Sequence, residues 1–257
     1  LGFAAGADGN YPPQQRALTG SGKHLAVIIN KIEKMKYSFF QRLKFSIITK
    51  QLRKPSGLLA RKVSNKMNEV NEVVYDFAIE SMNIIDKDAV LEIGFGNGKF
   101  FDKLFAKATN LQIWGIDFSK DMVAIASRNN QPALKRSTLN LQLGSSDNLP
   151  FTDNSFDKVF CINVIYFWDE PQKHLKEIHR VLKPDGTFFV AIRSKDTFSH
   201  LPATEFGFHL YNENEWKLVL EQNNFTLTAV TKRKEAKAKA DDNLRHEILC
   251  FGAKKTV

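Results

Sequence analysis

The order of apolar runs in this 257-residue chain predicts an α/β protein. It should be a doubly wound, mostly parallel seven-stranded sheet with an N-terminal helical extension. Three observations carry the prediction. From about residue 68 onward, short strand-like runs alternate with helical-period segments, and parallel strands need such crossovers. A turn of alternating glycines follows the first run, as it does where a doubly wound sheet meets a ligand. The basic residues are concentrated ahead of this body: eleven Lys or Arg stand between Lys31 and Lys66 against the single acid Glu33, while the whole chain carries +9. The remainder is close to neutral, so the basicity belongs to the extension.

Residues 1–30 are rich in Gly, Ala, Pro and Gln and read as a flexible leader. The chain opens on Leu1 and its first methionine is Met35, so residues 1–34 are expected to lie outside the native fold. The string Gly20-Ser21-Gly22-Lys23-His24 superficially resembles a phosphate-binding loop. It has Ala17 where the first glycine belongs and His24 where a magnesium-binding hydroxyl is needed. From Met35 to Leu52, Tyr37, Phe40, Leu43, Ile47 and Ile48 recur at helical spacing among basic residues, and Pro55-Ser56-Gly57 end the pattern. Residues 35–67 are therefore expected to form a basic lid or interfacial segment, and 68–257 the main domain. That domain should begin with a helix over 68–82.

Strands follow at 89–93, 111–116, 139–143, 156–162 and 186–192, with helices at 98–107, 119–129 and 171–182 between them. A helix at 213–222 precedes two final strands, 225–230 and 248–252. The charged, alanine-rich segment 232–243 lacks an apolar helical face, so those two strands should pair as a hairpin. Cys161 and Cys250 sit in apolar runs and read as buried free thiols.

The first strand ends at Glu92-Ile93 and enters Gly94-Phe95-Gly96-Asn97-Gly98. Glycines permit positive φ and leave room for a ligand against the backbone, and the next helix offers free N–H groups. A nicotinamide-type loop would place its third glycine at position 99, which is Lys99. The E-x-G-x-G-x-G string resembles instead the first motif of class I S-adenosylmethionine-dependent methyltransferases. Later stations resemble that family in the same order. They are Asp117-Phe118-Ser119 after the second strand, Gly144 to Phe151 after the third, Ser155 to Asn163 along the fourth, and Leu175 to Gly186 as a helix-turn-strand signature. The resemblance spans about 68–252 and is closest to the quinone-type and broad small-molecule methyltransferases.

The resemblance implies S-adenosyl-L-methionine as cofactor. It implies contacts from Glu92, Gly94, Phe95, Gly96 and Gly98 in the loop, and from Asp117, Phe118, Ser119 and Met122 around the ribose and adenosine. Ser146, Asp147 and Asn148 would flank the adenine, and Asn163 the methionine part. The implied reaction is in-line displacement of a sulfonium methyl group, driven by positioning and desolvation, with no catalytic triad expected. Tyr166, Trp168, His200 and His209 are candidates near the acceptor, set against wall packing or simple solvation. His174 and His179, five apart, do not share a helix face, so a paired-histidine metal site is excluded and no metal is expected.

The acceptor is expected to be a small or lipid-like molecule. No N-P-P-Y string follows the fourth strand, which reads Asn163-Val164-Ile165-Tyr166, and no proline precedes either cysteine, so base methylation is not expected. The basic segment could cover the site as a lid or touch an anionic membrane through residues 35–54. Nucleic acid is the less favoured partner. No run is long enough to span a bilayer, so the expected location is the cytoplasm, including the inner membrane face. A non-catalytic binding protein of the same fold and an NAD(P)-dependent oxidoreductase stand as alternatives.

Overall fold

The computed structural model describes residues 37–198, 202–235 and 246–256. The leader 1–34, His200 and the part of 232–243 beyond Glu235 lie outside them. The chain divides into two units, 1–44 and 45–257. The described part of the first opens helix α1 (Phe39–Arg53). Its start is capped reciprocally: Ser38 N donates to Gln41 Oε1 at 2.8 Å and Gln41 N to Ser38 Oγ at 3.3 Å, a capping box.

In the larger unit, the Pro55 turn leads through a 3-10 turn, Gly57–Leu59, directly into α2 (Ala60–Ser81). This helix starts eight residues before the periodicity predicts and crosses 67/68 without a break. Its first turns lack an apolar stripe because they present Ser64, Met67, Asn68 and Asn71 to a cavity rather than to a core. The apolar pattern begins only at Val74, Phe77 and Ala78, which are buried.

Then follow β1 (Ala89–Ile93), α3 (Phe101–Phe105), β2 (Gln112–Asp117), α4 (Lys120–Asn129), α5 (Gln131–Lys135), β3 (Leu139–Leu143) and β4 (Phe156–Ile162). After a 3-10 turn, Ile165–Phe167, come α6 (Pro171–Val181), β5 (Leu182–Arg193), α7 (Lys195–Phe198), α8 (Glu213–Gln222), β6 (Phe225–Lys234) and β7 (Glu247–Lys255). The helix expected over 98–107 shrinks to α3, since Gly98 at φ +70° belongs to the turn before it. Strand β6 runs four residues past the expected end because β7 offers it partners as far as Lys234↔Glu247.

The seven strands form one sheet in the order β3-β2-β1-β4-β5-β7-β6. The first five are parallel; β7 is antiparallel to both neighbours, so the terminal hairpin is present. Chain order reverses between β1 and β4, which makes the crevice beyond Ile93 and Ile162 the switch point where ligands of such sheets bind. Side chains alternate between two cores. Leu91, Ile93, Val159 and Cys161 join one with Leu175 of α6 and Trp216 of α8, and Val90, Phe160 and Ile162 join the other with Val74 and Phe77 of α2. Both cysteines are free and buried. Among the described residues, no helix is long and apolar enough to cross a membrane, and no three side chains group as metal ligands.

Candidate active site

A cavity of about 270 Å³ opens at the switch point. Its floor is made by the ends of β1, β2 and β4 and the loops that leave them. Its roof is made by Leu52, Arg53 and Pro55 and by the Ser64–Tyr75 face of α2. The glycine loop shapes the floor. Gly94 (φ +75°) passes so close to Val164 that an added Cβ would meet its Cγ2 at 2.5 Å, whereas nothing lies within 4 Å of a Cβ built on Gly96 (φ +59°), which faces the cavity. The first glycine is required by packing and backbone, the second leaves open space for a ligand.

Asp117, at the end of β2, locks this loop. Its Oδ2 accepts from Gly96 N at 2.9 Å and its Oδ1 from Ser119 N at 2.8 Å. Burial pushes its pKa up to about 6, against the pull of those N–H groups and of Lys54. Each oxygen keeps a further lone pair for a ligand hydroxyl. Glu92 lies one layer below, where its Oε1 accepts from the Tyr75 hydroxyl at 2.6 Å. Burial, with a smaller repulsion from Asp117, drives its pKa up to about 8 despite the Tyr75 bond.

Of the residues expected to meet a cofactor, Gly94, Phe95, Gly96, Asp117, Phe118, Met122, Ser146, Asp147 and Asn163 line the cavity. Four do not. Glu92 supports the loop from beneath. Gly98 packs against α4, where a Cβ would meet Asn130 Nδ2 at 2.7 Å and Ala126 Cβ at 2.9 Å. Ser119 is the N-cap of α4, and its Oγ also donates to Pro55 O at 2.7 Å, tying the roof to the floor. Asn148 is exposed in the turn after Ser145.

The acceptor candidates separate in the same way. Trp168 is in the wall. Tyr166 is buried outside it: its oxygen accepts from Arg193 N at 2.6 Å, and its hydroxyl lies 2.9 Å from Arg193 O and 3.1 Å from Asn163 Oδ1. Burial raises the phenol well above its ordinary range. His209 stands beyond the wall with its Nε2 3.4 Å from Asp169 Oδ1.

Several side chains of the cavity wall were not among the sequence candidates. His174 lies in the wall, stacked on Trp168 at 4.5 Å between ring centroids and 6° between planes, with its Nδ1 2.8 Å from Ser146 Oγ. Burial holds its pKa below the usual imidazole range. His179 turns elsewhere, against Phe225. Roof residues Arg53, Asn68 and Asn71 carry no motif. Arg53 Nη2 pairs with Asp169 at 2.9 Å, and Asn68 Nδ2 donates to Asn97 Oδ1 at 2.9 Å. The helix-turn-strand signature also gains a physical role: Glu177 accepts from Leu149 N at 2.8 Å while Arg180 donates to the carbonyls of Leu149 and Phe151. That pair clamps the loop after β3 onto α6.

Comparison with known proteins places this geometry among relatives. A family model described as a methyltransferase domain matches residues 91–190. YrhH of Bacillus subtilis, by name a presumed methyltransferase, is 30% identical over 131 residues, covering 51% of this chain and 72% of that protein. The demethylmenaquinone methyltransferase of Symbiobacterium thermophilum is 31% identical over 134 residues, 52% of this chain and 51% of the relative. A crystal structure of an S-adenosylmethionine-dependent methyltransferase from Aquifex aeolicus superposes with a TM-score of 0.60 at 20% identity. That match covers 75% of this chain and 97% of the other, and at such identity it speaks for the fold alone.

Proposed function

Because the chain belongs to the class I S-adenosylmethionine-dependent methyltransferases, we propose that its cavity holds S-adenosylmethionine and that the methyl group passes to a small, lipid-like acceptor under the α1–α2 roof. The observation that carries this reading is the Gly94–Gly96 loop bonded to Asp117 at a roofed switch point. The residues fit such a group. Asp117 retains lone pairs for two ribose hydroxyls, and Phe118 and Met122 offer apolar surface beside it. Ser146 and Asp147 offer polar atoms for the adenine edge, and Asn163 lies at the β1–β4 end for the amino-acid part.

When bound, the cofactor supplies a methyl carbon on a cationic sulfur, ready for in-line attack. The chain supplies orientation, exclusion of water and a favourable field: Asp117, Asp147, Asp169 and Glu170 in the wall outnumber Arg53 and Lys173. Among the described residues, the one imidazole in the wall is His174, whose Nδ1 is engaged by Ser146. The acceptor we favour brings its own reactive carbon or acidic hydroxyl.

A lipid-like acceptor is favoured by the surface beside Pro55. Leu58 is fully exposed and Leu59 more than half exposed. Lys54, Arg61 and Lys62 flank them in the sequence, and no acid occurs from Tyr37 to Asn68. Such a leucine tip in a cationic collar suits an anionic bilayer, which would put the protein at the inner face of the cytoplasmic membrane. The demethylmenaquinone methyltransferase acts, by its name, on demethylmenaquinone.

Calorimetry with S-adenosylhomocysteine and with NADH tests the cofactor: binding of the first alone is expected, and its absence defeats the proposal. Transfer of labelled methyl groups into a fractionated metabolite extract then reads the acceptor class. Co-sedimentation with phosphatidylglycerol vesicles but not phosphatidylcholine vesicles is expected. Sedimentation with neither kind of vesicle removes the membrane contact.

A further inference from the structure

Arg193 is a cation with almost no exposure, at the end of β5, outside the cavity wall. Four of its five N–H groups are committed. Nε and Nη2 meet Glu235 at 3.2 and 2.7 Å, Nη2 also meets Val70 O at 2.6 Å, and Nη1 donates to Asn71 Oδ1 at 2.9 Å. An amide can ordinarily be turned end for end without much change in shape. Here it cannot, because a guanidinium only donates, so the atom of Asn71 facing it must be the oxygen.

That constraint propagates. With its oxygen fixed, Asn71 accepts a second bond from Asn163 Nδ2 at 3.1 Å. The amide of Asn163 is thereby oriented too, and its Oδ1 faces the Tyr166 hydroxyl at 3.1 Å. Tyr166 in turn accepts from the backbone N–H of Arg193 at 2.6 Å, which closes the circuit. Asn163 holds a left-handed backbone (φ +56°), a conformation asparagine tolerates better than most residues. Both amides are in the cavity wall, at the end shared by β1 and β4. The oxygen of Asn71 is used twice, and its Nδ2 donates to no acceptor among the described residues.

We infer that Arg193 is a positioning residue that sets the polarity of the Asn71 and Asn163 amides, so that Asn71 presents a fixed N–H donor to the carboxylate at the amino-acid end of an S-adenosyl ligand. The inference rests on the cofactor reading above and names a recognition element on the roof helix that no glycine loop could supply. Arg193 never touches the ligand. Its buried pair with Glu235 keeps the guanidinium in one place, and the ligand meets only the amide edge that results.

The test is titration calorimetry of wild-type and Asn71→Asp proteins with S-adenosylhomocysteine, with thermal melting alongside. The substitution keeps the acceptor for Arg193 and Asn163 and deletes the donor. The expected result is an unchanged or raised melting temperature with a Kd about tenfold or more higher, as for loss of one charge-assisted bond facing a like charge. An unchanged Kd would make Asn71 a tie between α2 and the sheet, and a lower Kd would put the ligand's ammonium there; either overturns the inference. Failure of the wild type to bind would remove the cofactor reading itself, and this inference with it. Should the variant not fold, the side-chain amide resonances of Asn71 in the 15N-labelled wild type decide. They should move on saturation with S-adenosylhomocysteine, and unmoved resonances in the bound protein overturn the inference.

Discussion

The floor and the roof of the cavity are built by different means. The floor is backbone: a loop of positive-φ glycines, strand ends and the N–H groups that Asp117 gathers. The roof is side chain: Arg53, Asn68 and Asn71, each held by a polar partner from another element. A site made of backbone needs particular residue types at particular spacings, and so it leaves a motif. A site made of side chains needs only a helix face that arrives at the right place. The glycine loop can therefore be read in the sequence, whereas the roof becomes visible only when α2 is laid across the sheet.

Substitutions can break this contrast. Gly94→Val should have the largest effect, because it combines positive-φ strain with a clash against Val164. It should cost several kcal/mol, of which the backbone alone accounts for ~1–3 kcal/mol, and should abolish S-adenosylhomocysteine binding. The midpoint of urea unfolding and calorimetry read the two losses. Gly96→Ala sharpens the comparison. With open space around the added carbon, the stability cost should stay near ~1–2 kcal/mol from φ alone, yet affinity should fall at least as far as for a roof variant. Equal losses of stability in the two variants would contradict the separate roles assigned to the two glycines.

Next in size is Arg193→Lys. Lysine can still face Glu235 but cannot hold Asn71 and Val70 at the same time. A loss of ~2–3 kcal/mol on melting is expected from the disrupted buried pair, with weaker S-adenosylhomocysteine binding through the roof. A variant that melts lower but binds equally well would confine Arg193 to stability.

Two pH effects follow from the floor. Asp117 titrates near 6, and its protonated form has one oxygen fewer to accept ribose hydroxyls. Affinity for S-adenosylhomocysteine should therefore weaken as pH falls through about 6, and Asp117→Asn should flatten that profile at a lower affinity. Glu92 acts on stability. Its pKa is raised from 4.5 to about 8 in the folded chain, so the folded state holds the extra proton between those values. Stability must then decline as pH rises across that window and level off above it. Glu92→Gln should remove much of the decline in melting temperature between pH 5 and 8.

The smallest effect belongs to Arg53→Ala. Its pair with Asp169 is largely exposed, so the change in stability should not exceed about 1 kcal/mol by thermal melting.

Much of the fold was legible because burial on both faces of a sheet leaves near-continuous apolar runs, as at 89–93 and 156–162. The seven strands, their mostly parallel pairing and the terminal hairpin follow from those runs and the segments between them. The start of α2 was hidden because Ser64, Met67, Asn68 and Asn71 serve a cavity rather than a core, and a polar wall has no hydrophobic period. In the site, Asp117 could be anticipated from its register after β2. Gly98 and Ser119 stand outside the cavity lining: motif spacing does not distinguish a glycine that admits a ligand from one that admits a helix, or a wall serine from an N-cap. His174 was passed over because its importance arises only when α6 brings it against Ser146, 28 residues away.

The position of β7 carries a consequence for how the chain acquires its shape. The last of the seven strands in sequence lies inside the sheet, with β5 on one side and β6 on the other. The four strands from β3 to β4 along the sheet come from residues 89–162 alone, joined by local crossovers. On the other side, β6 has no strand to pair with until β7 has been synthesised. Emerging from a ribosome, the half of the sheet formed by β1 to β4 can close early, while β6 waits as an unpaired edge, exposed to wrong partners until the final hairpin folds in.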